Sequence, residues 1–385
     1  MVPTNLYIKL YIKYMDNTNH IRVGITHGDT NGVGYELILK TFAEPAILEL
    51  FTPIIYGSPK AAAYHRKALD LQVDWRLVNS AADAQPGKLN MVACFDEEVN
   101  IELGKQSAEA GHAAVLSIDR ALEEYQDGLL DVLVTAPVNK AAIHSCGCGF
   151  TGHTEYIQEK LGGDGEALMI LLNEHLRVAL TTTHTPLKEV AAAITKEHVE
   201  KKIRLFYESL RRDFLVSAPR IAVLALNPHS GDDGVLGLEE KESIRPAVEA
   251  VVEDGIQCFG PYPADGFFGA GMYVHFDGVL AMYHDQGLAP FKALSNGDGV
   301  NFTAGLSLVR TSPDHGTAYD IAGQGVAREN SFRQALYTAV DIFRNRERND
   351  EAYANPLPKL YHERREDGDR NRHVAAKQVQ EEEAE

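Results

Sequence analysis

Apolar residues along the chain form short aliphatic and β-branched runs, and between these runs they recur at every third or fourth position. The runs predict strands at Ile21–Thr26, Thr52–Tyr56, Leu130–Thr135, Arg177–Thr182, Arg220–Leu226 and Gly278–Met282. The spaced pattern predicts helices at Ser107–Tyr125, Lys196–Phe214, Glu239–Glu253 and Ser331–Arg346. Because strands alternate with helices, we predict an α/β fold with a largely parallel sheet covered on both faces.

The length and the charge of the chain limit the classes of protein to which it can belong. A chain of 385 residues can form two domains or one large α/β unit. The net charge of −18 disfavours nucleic acid as a partner, because phosphate binding depends on clustered lysine and arginine. No apolar run is long enough to cross a membrane, and the N-terminal segment lacks the residue order of a signal peptide. We therefore expect a cytoplasmic enzyme, with Met15 as a candidate for the true start.

The two ends of the chain differ from the rest in pattern. Residues 1–20 precede the first predicted strand and are interpreted as an N-terminal extension. From residue 349 onwards charged residues and proline replace the periodic apolar pattern, so residues 349–385 are predicted to be disordered.

The cysteines are four in number and scattered, at Cys94, Cys146, Cys148 and Cys258. This number is too small for a disulfide framework. Cys146 and Cys148 are separated by one residue rather than the usual two, and no second pair exists, which disfavours a metal clip at this position.

Dense polar clusters follow several predicted strands, and three of these clusters contain a histidine just beyond the strand. These histidines are His184, His229 and His284. Since the carboxyl ends of parallel strands meet at one edge of a sheet, we expect the clusters to converge. Converging imidazoles suit a divalent transition metal, with Asp265 and Asp285 as further ligands or orienting groups. Alternatively, each histidine only caps or hydrogen-bonds its own loop.

A second group of polar residues offers cations and hydrogen-bond donors for an anion. Lys292, Asn301 and Arg310 follow His284, and Gly152-His153-Thr154 precedes a helical stretch whose N-terminus favours negative charge. The glycine-rich turn at residues 28–34 does not fit the dinucleotide fingerprint. There is also no Walker lysine and no nucleophile elbow, which disfavours NTPases and serine hydrolases.

Taken in order, the motifs resemble the 4-hydroxythreonine-4-phosphate dehydrogenase family of pyridoxal phosphate biosynthesis. They are THGDTNGVGYE, TAPVNK, GHTEY, TTTHTPL, LNPHSGDDGVLGLEE, PADGFF, MYHDQGLAPFK and VNFTAGLSLVRTSPDHGTAYDIAGQG. The resemblance implies the two-domain α/β/α fold of isocitrate and isopropylmalate dehydrogenases, working as a homodimer with the active site in the interdomain cleft at the dimer interface. The first domain would comprise residues 21–137 and 306–348, with the cofactor loop, and the second residues 138–305.

The resemblance also assigns roles to individual residues. His184, His229 and His284 would hold one divalent metal (zinc, magnesium or cobalt) in a site shared between the two subunits. His153, Thr154, Lys292, Asn301 and Arg310 would contact the phosphorylated substrate. His315, Gly316, Asp320 and Gly323 would belong to the loop that binds NAD, with NADP as the alternative cofactor. The first loop departs from the family at GDTNGVGYE, where a proline usually follows the aspartate.

The implied reaction is oxidation of 4-phosphohydroxy-L-threonine by NAD to 2-amino-3-oxo-4-phosphooxybutanoate, which loses CO2 to give 3-amino-2-oxopropyl phosphate. The metal would acidify the substrate hydroxyl, and Lys292 is the candidate proton carrier, with Asp285 as its rival. Two alternatives stay open. The same chemistry could act on D-threonate or D-erythronate 4-phosphate, or the chain could be a non-catalytic regulator that binds a metabolite.

Overall fold

Strands across the chain join into a single mixed sheet in the computed structural model, which describes residues 21–95, 100–148, 152–162 and 166–354. The strands are β1 (Arg22–Thr26), β2 (Thr52–Gly57), β3 (Arg76–Val78), β4 (Asn90–Ala93), β5 (Val132–Thr135), β6 (Leu168–Leu172), β7 (Arg177–Leu180), β8 (Arg220–Leu224), β9 (Gln257–Tyr262), β10 (Gly278–Ala281), β11 (Val300–Ala304) and β12 (Val309–Pro313). Their order across the sheet is β3-β4-β2-β1-β5-β12-β11-β6-β7-β10-β8-β9.

The sheet is parallel on both sides of a short antiparallel centre. β11 runs antiparallel to β12 and to β6, and β6 runs antiparallel to β7. The other neighbouring strands are parallel, as predicted. The antiparallel centre was not predicted, because Asn301 and Arg310 break the apolar pattern of β11 and β12.

Helices connect the parallel strands and cover the sheet. They are α1 (Gly34–Phe42), α2 (Pro59–Ala68), α3 (Ala108–Gln126), α4 (Lys140–Ser145), α5 (His153–Leu161), α6 (Leu187–Ala193), α7 (Lys196–Arg212), α8 (Arg245–Glu253), α9 (Ala264–Gly269), α10 (His284–Leu294) and α11 (Asn330–Tyr353). Short 3-10 turns lie at Pro45–Glu49, Ala81–Asp83 and Met272–His275, and Pro228–Gly234 forms a tight turn of irregular geometry. A π turn at Glu240–Ile244 leads into α8.

The predicted elements are present, with shifts at their ends. The helix expected at Glu239–Glu253 begins with the π turn and continues as α8. The last helix, expected to end at Arg346, continues to Tyr353 and so enters the segment predicted to be disordered. The remainder of that segment and the N-terminal extension lie outside the described residues.

The described residues up to Glu347 belong to one compact unit, and residues 348–354 belong to a second. The division of the first unit into two domains, at residues 137 and 305, stays a prediction. None of the helices in the described ranges combines the length and the apolar character needed to span a membrane.

Helices α3 and α4 approach each other closely at Gly111. A Cβ atom at this position would lie 2.4 Å from the backbone carbon of Ala142, closer than atoms can pack. We expect Gly111→Ala to lower the free energy of unfolding by about 1–3 kcal/mol, measured by urea denaturation, because the backbone of α4 must move. The matched control is Gly266→Ala in α9, where the space around the glycine is open. An equal loss in both variants would contradict the explanation.

His27 follows β1 and is fully buried, with its ring stacked on Tyr35 at 5.1 Å. Burial lowers the pKa of His27 from 6.5 to about 4. Between these values the unfolded chain binds a proton that the folded chain does not, so stability should rise with pH from 4 to 6.5. The gain is on the order of 3 kcal/mol.

The variant His27→Gln should show a smaller rise in unfolding free energy over this pH range, because one buried imidazole is gone. The buried His65 contributes to the rise in the same direction in both proteins. His144→Gln, at an exposed position on α4, is the control and should keep the wild-type pH dependence. Parallel curves for wild type and His27→Gln would show that His27 titrates normally in the fold.

Candidate active site

A cavity of about 260 Å³ lies where several strands end. Its lining comes from the residues after β5 and β7, from β6, from the starts of α4 and α5, from α10, and from β11 and β12 with the loop that follows. Among the predicted site residues it brings together His153, Thr154, His184, His284, Lys292, Asn301, Arg310, His315 and Gly316. His229, Asp285, Asp320 and Gly323 do not line this cavity.

Arg310 on β12 is the buried cation of the cavity, with 3% of its surface exposed. Its guanidinium donates to Thr135 Oγ1 at 2.6 Å and to Thr303 Oγ1 at 3.3 Å. No carboxylate in the described part of the chain forms an ion pair with it. Burial lowers the pKa of Arg310 to about 10, so the side chain stays charged at neutral pH. A buried, charged and unpaired guanidinium is suited to binding an anionic ligand.

The start of α5 contributes a neutral histidine and a hydroxyl group to the same cavity. Burial, together with the cations of Arg310 and Lys140, holds the pKa of His153 well below its usual range. His153 is therefore an uncharged donor or acceptor at neutral pH. Thr154 Oγ1 lies 3.3 Å from Thr303 Oγ1, which places it beside the guanidinium of Arg310.

Two further polar side chains, Asn301 and Lys292, line the same cavity. The buried Oδ1 atom of Asn301 has no hydrogen-bond partner in the described part of the chain, so it is available to a donor group of a ligand. Lys292, on α10, is exposed and contributes a positive charge. The cavity thus offers cations for an anion and at least one acceptor for a hydroxyl or ammonium group.

Two of the three predicted metal ligands are neighbours. The rings of His184 and His284 have centroids 6.3 Å apart. Burial is the main cause that lowers the pKa of His184, followed by the positive charge of Lys140, so the ring is neutral and can donate a lone pair. Asp285 Oδ1 lies 2.7 Å from His284 Nδ1, which is the way a carboxylate orients a metal-binding imidazole.

His229 lies apart from this pair in the same chain. It lines a second cavity together with Asp265 and Asp285. Its side chain is exposed, and it has no ring contact with His184 or His284. One chain therefore brings together two of the three predicted ligands.

The loop that carries His229 has an unusual backbone. Residues 229–233 all have positive φ, between 44° and 77°, and four of the five are not glycine. Left-handed conformations at such residues cost energy and commonly occur at functional sites. The loop that carries His229 is therefore a candidate functional segment.

The carboxylate of Glu240 holds this loop in place. Glu240 is 2% exposed and accepts the backbone N–H groups of Leu226 and Asn227 at 2.8 and 2.7 Å. A Cβ atom at Gly231 would lie 2.6 Å from Glu240 Oε2, so the loop can pass the carboxylate only as glycine. The positioning role of Glu240 was not predicted, because in the sequence Glu240 is only the second of two consecutive glutamates.

The predicted cofactor loop is anchored on the glycine-rich turn after β1. Tyr319 donates to Asp29 Oδ2 at 2.6 Å, and the Val33 N–H donates to Thr317 O at 3.1 Å. At one end His315 and Gly316 line the first cavity, whereas Asp320 at the other end is exposed. Gly323 has a φ of 76° and little space beside Leu103, so no other residue fits there without strain.

Sequence reasoning missed three charged residues that line the first cavity. Lys140 Nζ lies 3.4 Å from His184 Nε2, and Glu155 and Asp314 add two carboxylates. Burial raises the pKa of Asp314. Lys140 and Glu155 fall within the TAPVNK and GHTEY motifs, so position after a strand or at a helix start could have identified them.

A large mixed α/β sheet with a cationic cavity at its strand ends is the arrangement of an α/β enzyme for a small anionic substrate. The model of the family described as pyridoxal phosphate biosynthetic protein PdxA matches residues 49–339. The chain belongs to this family, whose members include 4-hydroxythreonine-4-phosphate dehydrogenases, and it is an enzyme of the dehydrogenase class.

Individual relatives support this assignment. A 4-hydroxythreonine-4-phosphate dehydrogenase from Bacteroides thetaiotaomicron is 60% identical over 352 residues, which cover 91% of this chain and 97% of that protein. A relative from Oceanobacillus iheyensis, provisionally named a D-threonate 4-phosphate dehydrogenase, is 37% identical over 83% of this chain and 97% of its own. The crystal structure of the Klebsiella pneumoniae 4-hydroxythreonine-4-phosphate dehydrogenase has a TM-score of 0.72 and 34% identity, covering 85% of this chain and 99% of that one.

Proposed function

We propose that the chain oxidises 4-phosphohydroxy-L-threonine with NAD, in a reaction that depends on a divalent metal, and that the 3-oxo product then loses CO2. The observation that carries the proposal is Arg310, a buried guanidinium that lines the first cavity and has no ion-pair partner in the described residues. A phosphate or carboxylate of the substrate would supply the missing negative charge. The 60% identity to a relative named for this substrate supports the same reading.

Different residues of the cavity would bind different groups of the substrate. Arg310 and Lys292 would hold the anionic groups, and Thr154 and His153 would donate or accept at the same end. Glu155 provides a carboxylate for the substrate ammonium group, and Asn301 Oδ1 provides an acceptor for a hydroxyl or ammonium group. Two lysines lie in the cavity, so Lys140 joins Lys292 as a candidate proton carrier.

The metal would be held by His184 and His284 of one chain and His229 of a second copy. The donor set fits a divalent ion, because both neighbouring rings lie at the cavity and Asp285 orients one of them. When bound, the metal polarises the substrate hydroxyl and the carbonyl that forms from it. Because Asp285 contacts His284 and does not line the cavity, it is proposed as an orienting residue rather than a proton carrier.

NAD would be bound by the loop that carries His315, Gly316, Asp320 and Gly323, and His315 and Gly316 of this loop line the first cavity. The proposal includes the two-domain isocitrate dehydrogenase type of fold, with the site in the interdomain cleft and completed by a homodimer. The exposure of His229 supports the homodimer. An exposed histidine that does not reach His184 and His284 of its own chain is accessible to those of a second copy.

D-Threonate or D-erythronate 4-phosphate is the second candidate substrate, which the relative from Oceanobacillus iheyensis favours. These acids carry a hydroxyl where phosphohydroxythreonine carries an ammonium group. Glu155 in the cavity favours the ammonium compound, because a carboxylate pairs better with a cation than with a hydroxyl.

The test is NADH formation by the purified protein with each of the three phosphates, before and after chelation. We expect turnover with phosphohydroxythreonine that is lost on chelation and restored by zinc, magnesium or cobalt. If kcat/KM is higher with threonate or erythronate phosphate than with phosphohydroxythreonine, the preferred compound is the substrate and the proposed one is wrong. Binding without NADH or NADPH formation on any of the three would identify a non-catalytic regulator.

A further inference from the structure

A histidine and two cysteines come together outside both cavities described above. His112 lies on α3, and Cys146 and Cys148 lie just after α4. Their Nδ1, Nε2 or Sγ atoms offer one ligand each, and the three ligand atoms lie within 4.8 Å of one another. The two sulfur atoms are 2.8 Å apart, and Cys148 Sγ lies 4.0 Å from His112 Nδ1.

Local features of the backbone create this cluster. Cys146 ends α4, where its N–H donates to Ile143 O at 3.1 Å and its thiol donates to the same oxygen at 2.9 Å. Gly147 has a φ of 75°, a conformation that favours glycine, and it turns the chain so that Cys148 comes back beside Cys146. Gly111 allows α3 to approach α4 closely, which brings His112 to the same place.

We propose that His112, Cys146 and Cys148 bind Zn²⁺, in a site separate from the active site and with the fourth position open to water or another small ligand. Two thiolates and one imidazole are ligands that zinc prefers. Bond lengths of about 2.3 Å to sulfur and 2.0–2.1 Å to nitrogen place tetrahedral ligands about 3.6–3.8 Å apart. The sulfur–nitrogen distance is near this value, and the sulfurs need to separate by about 1 Å.

The cysteines alone do not indicate a metal site, because the chain has no second cysteine pair. In the structure the third ligand is instead a histidine from a different helix. The packing of α3 on α4 brings this histidine next to the two cysteines, which the spacing in the sequence cannot show.

Zinc binding at this site releases two protons, one from each thiol, because the metal binds the thiolates. Burial, with smaller effects from Cys146 and Asp119, raises the pKa of Cys148 to about 11. Asp119 lies nearby but is already paired with Lys160 at 3.1 Å, so the two thiolates and the imidazole carry the proposed site. Both cysteines are half-buried and His112 is exposed, so an ion can enter from solvent.

The ion would fasten the end of α4 to α3. The first residue of the same helix is Lys140, which lines the first cavity. A bound metal would therefore stabilise the helix that positions this lysine.

The experiment uses Co²⁺ as a spectroscopic substitute for zinc in the reduced, full-length protein. Cobalt bound by thiolate gives a charge-transfer absorption that the His184–His284 pair cannot give, because that pair contains no sulfur. We expect this absorption in the wild type on addition of up to two cobalt ions per chain, because the active-site histidines also bind one, and we expect added Zn²⁺ to remove it. Cys146→Ser and Cys148→Ser should lose it, and His112→Ala should bind cobalt at least about tenfold more weakly.

Two matched controls test whether the effect is local. Cys94→Ser removes a half-buried thiol elsewhere, and His144→Ala removes an exposed histidine of α4. Both should keep the wild-type absorption, and circular dichroism checks that every variant is folded. Absence of the absorption in the wild type, or its persistence in both cysteine variants, would overturn the proposal. Dehydrogenase activity is measured separately, so failure of the proposed function leaves this result unaffected.

Discussion

Replacing Arg310 with methionine should reduce kcat/KM for the phosphorylated substrate by roughly thirty- to several-thousand-fold. The reason is that the substrate anion loses a buried, charge-assisted partner, which costs on the order of 2–5 kcal/mol. Arg310→Lys should recover only part of the activity, because an ammonium group cannot reproduce the planar guanidinium fork. The affinity for NAD should change little. Steady-state kinetics with each variant measures these effects.

The same variant should leave the stability of the ligand-free protein unchanged or increase it. Arg310 is 3% exposed and has no carboxylate partner in the described residues, so its removal relieves a desolvated charge and leaves no anion behind. Thr135 and Thr303 lose a donor, but each has a hydroxyl that can rotate to another partner.

Arg346 provides the matched control, because it is also buried, at 7% exposure, but is paired with Asp213 at 2.6 Å. Arg346→Met should destabilise the fold by about 3–5 kcal/mol, since it leaves a buried carboxylate unpaired, and should leave kcat/KM of the folded fraction unchanged. If Arg310→Met has full activity and reduced stability, Arg310 is a structural residue and the proposed anion site is wrong.

Part of the fold could be predicted from the apolar pattern. β2 is found close to its predicted position because it is a continuous buried run, and α7 because its buried residues recur with the helical period. β11 and β12 could not be recognised, because Asn301 and Arg310 face the cavity and interrupt the pattern at the place where function requires polar groups. The antiparallel centre of the sheet also contains β6, a continuous apolar run that was not among the predicted strands and whose direction the apolar pattern does not reveal.

The composition of the site was more predictable than its geometry. Position after a strand selected His184 and His284, and the structure places them side by side. It also selected His229, but a sequence cannot show that this loop turns left-handed and leads the histidine into another cavity. Lys140 and Glu155 were missed because a charged residue at a helix start is usually interpreted as a solvated or capping residue.

The separation of His229 from the other two histidines leads to a second prediction, a complete loss of activity in single-histidine variants. If the metal is held by His184 and His284 of one chain and His229 of another, then His229→Ala and His284→Ala should each abolish turnover when present alone. Each variant removes one of three ligands from every site, and a site with two ligands binds the metal weakly. Metal content after dialysis, measured beside activity, checks that the loss follows the metal.

Mixing the two variants distinguishes a metal site shared between two chains from a site formed within one chain. We expect a mixture that is unfolded and refolded together in equal amounts to regain about one quarter of the wild-type activity. Random pairing makes about half of the dimers mixed, and in each mixed dimer one site combines an intact His184–His284 pair with an intact His229. The other site of that dimer lacks two ligands and stays inactive. His229→Ala mixed with itself is the control and should regain nothing. If the mixture also regains nothing although mixed dimers form, the three histidines do not act across two chains, and the shared metal site must be abandoned.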